Sequence, residues 1–228
     1  MKYYSILFVF LLLQACDSNN DLSSSFNQTA NFNPYTEKRA VDTVFNELVT
    51  TLEDLSARSV CLNPPATDNA ILQAEITLGE PLPVDVKAIY RLANGQKANQ
   101  DCVTIFAVGY QFLPLKDMLS QWQLMKTLAE NDKDFSAQDQ AQGAVKGYHW
   151  TAKWIPLAYM ISGDFICIDN DPAESGVSGQ IIEFIHDDIP RMHLAINLSS
   201  YFGQMLEHIK TEKLVYRSDW GVITSHKN

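Results

Sequence analysis

Positive charge is in short supply in this sequence. Lysine and arginine number 17 against 27 aspartates and glutamates, a net charge of −10. Nucleic-acid binding rests on basic footprints, so that class is excluded. Such acidity suits a basic protein partner through long-range steering, or serves solubility alone. Long apolar runs are also missing, and none reaches the roughly 20 residues of a membrane span. CxxC is absent, which removes the usual zinc and redox-pair signatures. HExxH, GxSxG, a Walker motif and GxGxxG are absent too, so no cofactor, small-molecule substrate or enzymatic activity is expected. A catalytic set assembled from scattered residues is the alternative to that expectation.

The chain begins with a charged start at Lys2, a short apolar core ending at Leu13, and Gln14-Ala15-Cys16. That order reads as an export signal over residues 1–15. Leu13-Gln14-Ala15-Cys16 looks like a bacterial lipobox, in which cleavage before Cys16 leaves its thiol carrying diacylglycerol. An ordinary secretory signal with a chance cysteine is the alternative. Removing residues 1–15 takes away Lys2 and no acid, leaving 16 basic against 27 acidic side chains, net −11. The expected location is a membrane-anchored lipoprotein facing the periplasm. Asp17 resembles an inner-membrane retention signal.

Residues 16–33, rich in Ser, Asn, Gln and Thr, read as a flexible tether with a reach of roughly 25 Å. A single domain is expected over 34–212, followed by a C-terminal tail, 213–228. With Cys16 assigned to lipid, three cysteines remain. In an oxidising compartment Cys61 and Cys102 can pair, since both lie near predicted loop or strand edges. Cys167, within the apolar run 165–168, reads as a buried small hydrophobe.

Asn33-Pro34 offers a helix start, and Val41, Val44, Phe45, Leu48, Val49, Leu52 and Leu55 recur at helical spacing for about six turns. A second helix is predicted over 68–78, capped by Asp68 and stopped at Gly79. A third opens at Pro83, buries Val86, Ile89, Tyr90 and Leu92, and ends at Asn94-Gly95. Strands are predicted over 103–108 and 110–113. A helix over 116–130 carries Met118, Leu119, Trp122, Met125 and Leu128. The polar run NDKDFSAQDQAQG reads as a loop or a ragged helix end. Apolar runs at 154–158, 165–168, 180–185 and 191–196 then predict strands, and an amphipathic helix over 198–210 closes the domain. With helices gathered at both ends of the chain, the fold class is α+β with a central, mainly antiparallel sheet.

Five stretches, in order, carry a resemblance: GEPLPVDVKAIYRLANGQ, FLPLKDML, WIPLAYMISGDFICIDNDP, GQIIEF and SSYFGQMLEHI. Together they resemble the SUKH superfamily, the domain of the yeast cell-wall-assembly regulator of Smi/Knr type, over about residues 40–210. The resemblance implies a binding domain, an immunity protein that occludes a toxin domain delivered by a competing cell. A structural or regulatory role in cell-wall assembly is the second reading. The export signal departs from the family pattern, because many bacterial relatives work in the cytoplasm.

Asp164, Asp169, Asp171, Glu174 and Glu183 form the densest acidic group. Paired carboxylates serve acid–base catalysis or bind calcium. DNDPAE, however, has Glu174 where an EF-hand needs glycine, and Gln180 at its twelfth place. Turn formation and a partner-contact surface are the other readings of Asp164, Asp169, Asp171 and Glu174. Trp150, in GYHW, is a candidate partner anchor, with core packing as its bland alternative. No metal site is expected.

Overall fold

Three helices precede most of the strands: α1 (Val41–Ser56), α2 (Asp68–Leu78) and α3 (Val84–Leu92). The computed structural model describes residues 39–98, 101–106, 109–132, 138–188, 191–217 and 222–225. The expected export signal and tether, with Cys16 and Asp17, lie outside the described residues. So does Asn33-Pro34, and Arg39 and Ala40 precede the first helical residue, so α1 begins at Val41. Packing sets that start, since Ala40 offers no side-chain cap, while Val44, Phe45, Leu48 and Leu52 are buried. The α2 bounds are as expected, but Thr67 is the cap, its side chain accepting from the Ala70 amide. On α3, Val86, Ile89 and Tyr90 face the core and Leu92 is exposed.

The chain continues through β1 (Gln111–Phe112), α4 (Leu115–Asn131), β2 (Gln138–Gln142), β3 (Val145–Tyr148), β4 (Trp154–Tyr159), β5 (Phe165–Asp169), β6 (Gln180–Phe184) and β7 (Met192–Ala195). It ends with α5 (Leu198–Lys210), β8 (Leu214–Arg217) and β9 (Val222–Ser225). Five strands form an antiparallel sheet in the order β1-β4-β5-β6-β7, with β2–β3 and β8–β9 as separate pairs. The fold is α+β, as expected.

Alternation along β5 explains how the sheet is covered. All five of its residues are buried, with Ile166 and Ile168 in the main core beside the helices. Phe165 and Cys167 turn the other way, into a smaller cluster with Val145, Trp150, Trp154, Ile182, Phe184 and Met125. Side chains alternate faces along a strand, so one continuous apolar run feeds two cores. Pro156 sits in β4 beside a register shift, the place where a strand tolerates a residue without an N–H.

Further expectations need correction. Residues 103–106 are irregular, because the buried Gln96 side chain takes their backbone groups: its amide nitrogen donates to the Val60 and Val103 carbonyls, and its oxygen accepts from the Ile105 and Phe112 amides. The rest of that expected strand, 107–108, lies outside the described residues. The polar run after α4, expected as loop, supplies β2, paired with β3. The segment set apart as a tail forms the β8–β9 hairpin. Gly95 has φ +74°, but it does not close α3, whose cap is Ala93 in extended conformation. A Cβ at Gly95 would lie 2.3 Å from the Pro114 nitrogen, so the glycine serves a close approach of two chain segments.

Candidate functional site

Strand β5 separates the acidic residues instead of gathering them. Asp164 precedes it and Asp169 ends it, and five residues of strand span about 17 Å. Each lies in its own network.

At the first end, Asp164 Oδ1 accepts from the His186 backbone amide (2.9 Å) and meets His186 Nδ1 (2.8 Å), while Oδ2 accepts from Ser162 Oγ (2.5 Å). Burial pushes this carboxyl up, but the bonds from Ser162 and His186 outweigh it and hold it below the usual range. The same hydrogen bond is the main reason that the His186 imidazole is raised. Its Nε2 lies 3.0 Å from Asp187. Nearby, Tyr110 donates to Glu183 (2.8 Å), and burial above all raises both groups. Arg191 is buried here as well. Its guanidinium donates to the carbonyls of Ile185, Asp188 and His149, and lies 4.1 Å over the Phe184 ring. Burial lowers it to about 10.

At the second end, Asp169 is fully buried and accepts from the Asp171 amide (2.9 Å) and Gln180 Nε2 (2.8 Å). Burial dominates and raises its pKa. Gln180 also donates to the Ala144 carbonyl (2.9 Å), which ties the β2–β3 turn to the β5–β6 loop. Asp171 pairs with Lys146 at 2.5 Å, and Glu174 is exposed in the same loop. Asp164 therefore keeps company with His186 and Ser162, and Asp169 with Gln180 and Asp171. Among the described residues no group of three His, Cys, Asp or Glu side chains is placed to hold a metal ion.

Trp150, expected as a candidate anchor, is 1% exposed. Its ring packs edge-on against Trp154 and Phe184 in the smaller core, so it presents no surface for a partner. It also borders a pocket of about 300 Å³ between α4 and the segment before β4, lined by Lys126, Tyr148 and Ala152 among others. Cys61 and Cys102 are joined by a disulfide, with Cα atoms 5.7 Å apart. Cys167 is buried and free, and burial raises its thiol well above the usual value.

A family model described as the SMI1 / KNR4 family (SUKH-1) matches residues 65–204. The chain belongs to this family. No curated protein matches the sequence. The SUKH-1 match runs from the loop before α2 into α5, so it takes in the whole five-stranded sheet and both ends of β5. It leaves out α1, the β8–β9 hairpin and Cys61. The disulfide thus ties a segment outside the match to Cys102 within it.

Arg191 escaped the sequence reading. Nothing in local spacing links it to Asp164, since two strands and a loop intervene. Gln96 carried a weak signal, a polar residue just past the Asn-Gly of the resemblance, but its role depends on three other segments of chain.

Proposed function

We propose that this SUKH-1 chain is a non-enzymatic, protein-binding immunity protein that neutralises a toxin domain delivered by a competing cell. Membership of the family over residues 65–204 carries the reading. The two carboxylates with most catalytic promise support it, because both are occupied: Asp164 holds Ser162 and His186, and Asp169 holds Gln180 and its own turn. The acidic balance, 27 acids against 17 bases, favours capture of a basic partner. Lipid on Cys16 would hold the domain at the membrane, facing the periplasm.

Deletion of the gene tests the reading. Sensitivity to kin or rival cells is expected to rise, and complementation with the full chain to reverse it. Unchanged sensitivity refutes the immunity role. The resemblance to the yeast cell-wall-assembly regulator favours a second reading, a structural or regulatory envelope protein, which predicts envelope defects with no neighbouring cell present. Cys16→Ala is expected to abolish lipid labelling and release the body from membranes; retention of both label and membrane refutes the anchor.

A further inference from the structure

Two loops meet at the Asp164 end of the sheet, residues 160–164 between β4 and β5 and residues 185–188 after β6. The first is a tight turn. Gly163 N–H donates to the Met160 carbonyl (2.9 Å), and Met160 N–H to the Asp164 carbonyl (2.9 Å). This places Ile161 at the first of the two central positions, where it is 94% exposed, the highest value among the exposed large apolar side chains described. Single exposed aliphatics are ordinary on protein surfaces. Ile161 differs in its setting. Turns of this kind favour Asp, Asn, Ser, Gly and Pro, and here a β-branched residue projects from the tip with nothing among the described residues to cover it.

The tip is also held in place. Asp164, rooted at the start of β5, binds Ser162 from within the turn and both the amide and the ring of His186 from the other loop. Gly163 adopts φ +105°, a conformation that favours glycine, and it sets the turn beside the His186 ring at ordinary contact distance. Arg191 fixes the far side of the second loop through the Ile185 and Asp188 carbonyls. A surface fixed before binding loses less entropy on association.

Charge decides what such a surface fits. The two loops contain Asp164, Asp187 and Asp188 and no lysine or arginine. Asp187 is 85% exposed, Asp188 is exposed, and the neighbouring cation, Arg191, is buried with its guanidinium turned to backbone carbonyls. An apolar projection whose neighbouring loop carries exposed Asp187 and Asp188, with His186 as the group they share the loop with, is repelled by an anionic lipid surface and attracted to a basic protein.

We propose that the paired tip of residues 160–164 and 185–188 is the docking surface for a basic protein, with Ile161 as the anchor that enters an apolar pocket on the partner and Asp187 and Asp188 as its acidic rim. Asp164 is a positioning residue that holds the two loops together. The proposal rests on the protein-binding reading above and narrows it to one face.

Photo-crosslinking in the producing cell tests it. A photoreactive residue replaces Ile161, Asp187 or, as a control 81% exposed on α3, Val84 in the full-length chain. Positions 161 and 187 are expected to capture the same basic protein, and position 84 to capture none of it. Against that protein purified, Ile161→Asp is expected to weaken binding about 30-fold, the loss typical of a central anchor. Asp187→Lys and Asp164→Asn are expected to weaken it several-fold with the melting temperature of the Ile161→Asp chain unchanged. Failure of 161 and 187 to capture above the control overturns the proposal, as does Ile161→Asp binding like the wild type. Release by Ile161→Asp from vesicles of phosphatidylethanolamine and phosphatidylglycerol, without protein capture, overturns it in favour of a lipid contact. If Ile161→Asp leaves toxin neutralisation intact, this face is wrong and the immunity reading stands. If the crosslinks form but gene deletion leaves sensitivity unchanged, the face stands and the immunity reading falls.

Discussion

The two ends of β5 carry the same side chain and use it in opposite ways. At one end Asp169 is sealed, with a carboxyl raised by burial and donors that are themselves interior. At the other, Asp164 serves groups that reach solvent, and their hydrogen bonds hold its carboxyl low despite its own burial. Their spacing of five also sends the two to opposite faces of the sheet. Asp164 shares its parity with Ile166 and Ile168, Asp169 with Phe165 and Cys167. The difference teaches that acids dense in sequence are not dense in space when a strand runs between them. It also assigns labour: the sealed end joins the β2–β3 turn to the sheet, and the open end is left to meet something else.

The largest test of this contrast is Asp169→Ala, expected to cost about 3 kcal/mol in denaturant unfolding, because one N–H of Gln180 Nε2 and the Asp171 amide both lose their acceptor, leaving Nε2 only the Ala144 carbonyl. Next comes Gly176→Ala at the same end. The added Cβ would lie 2.4 Å from the Ala144 carbonyl oxygen and 2.7 Å from Gln180 Oε1, so the two loops must separate, at about 1–3 kcal/mol. Asp164→Asn is expected to cost about 1 kcal/mol, since water can replace much of what is lost, and to return the His186 pKa towards its ordinary value by NMR titration. An Asp164→Asn loss as great as that of Asp169→Ala would erase the contrast.

The smaller effects depend on pH. The folded state raises His186, so the stability from its pairing with Asp164 is fully present below about pH 6.5 and is lost as pH rises through the raised value. The Asp164–His186 coupling, measured by a double-mutant cycle, is therefore expected to be larger at about pH 5.5 than at about pH 8.5. Burial lowers His149, His193 and His208, so their contribution runs the other way, present above about pH 6.5 and lost as pH falls through the lowered values. The smallest change belongs to Lys146→Ala at the sealed end. The Lys146–Asp171 pair is about a third exposed and screened by solvent, and its loss is expected to leave the unfolding midpoint nearly unchanged.

Much of the fold was legible because local chemistry and burial agree. The end of α2 followed from Gly79, the span of α5 from apolar positions three and four apart, and the strand at 165–168 from its unbroken apolar run. Legibility failed where long-range partners decide. Gln138–Gln142 lacks apolar alternation and is a strand because β3 pairs with it. Val103–Phe106 has strand composition and is irregular because Gln96 reaches it first. The acidic group was visible as composition, but its division depended on strand direction. The company of Asp164 depended on a contact 22 residues away in sequence.

Gln96 has a further consequence. It is 2% exposed, and one side chain organises backbone from three separate stretches of the chain. A ladder can slide by a residue and still close most of its bonds. A single amide has no neighbouring position to slide to. The region around Val60, Val103 and Phe112 is therefore expected to assemble as a unit, although of these three residues only Phe112 lies in a strand. Substituting leucine, of similar bulk, would leave the space filled and the arrangement undefined.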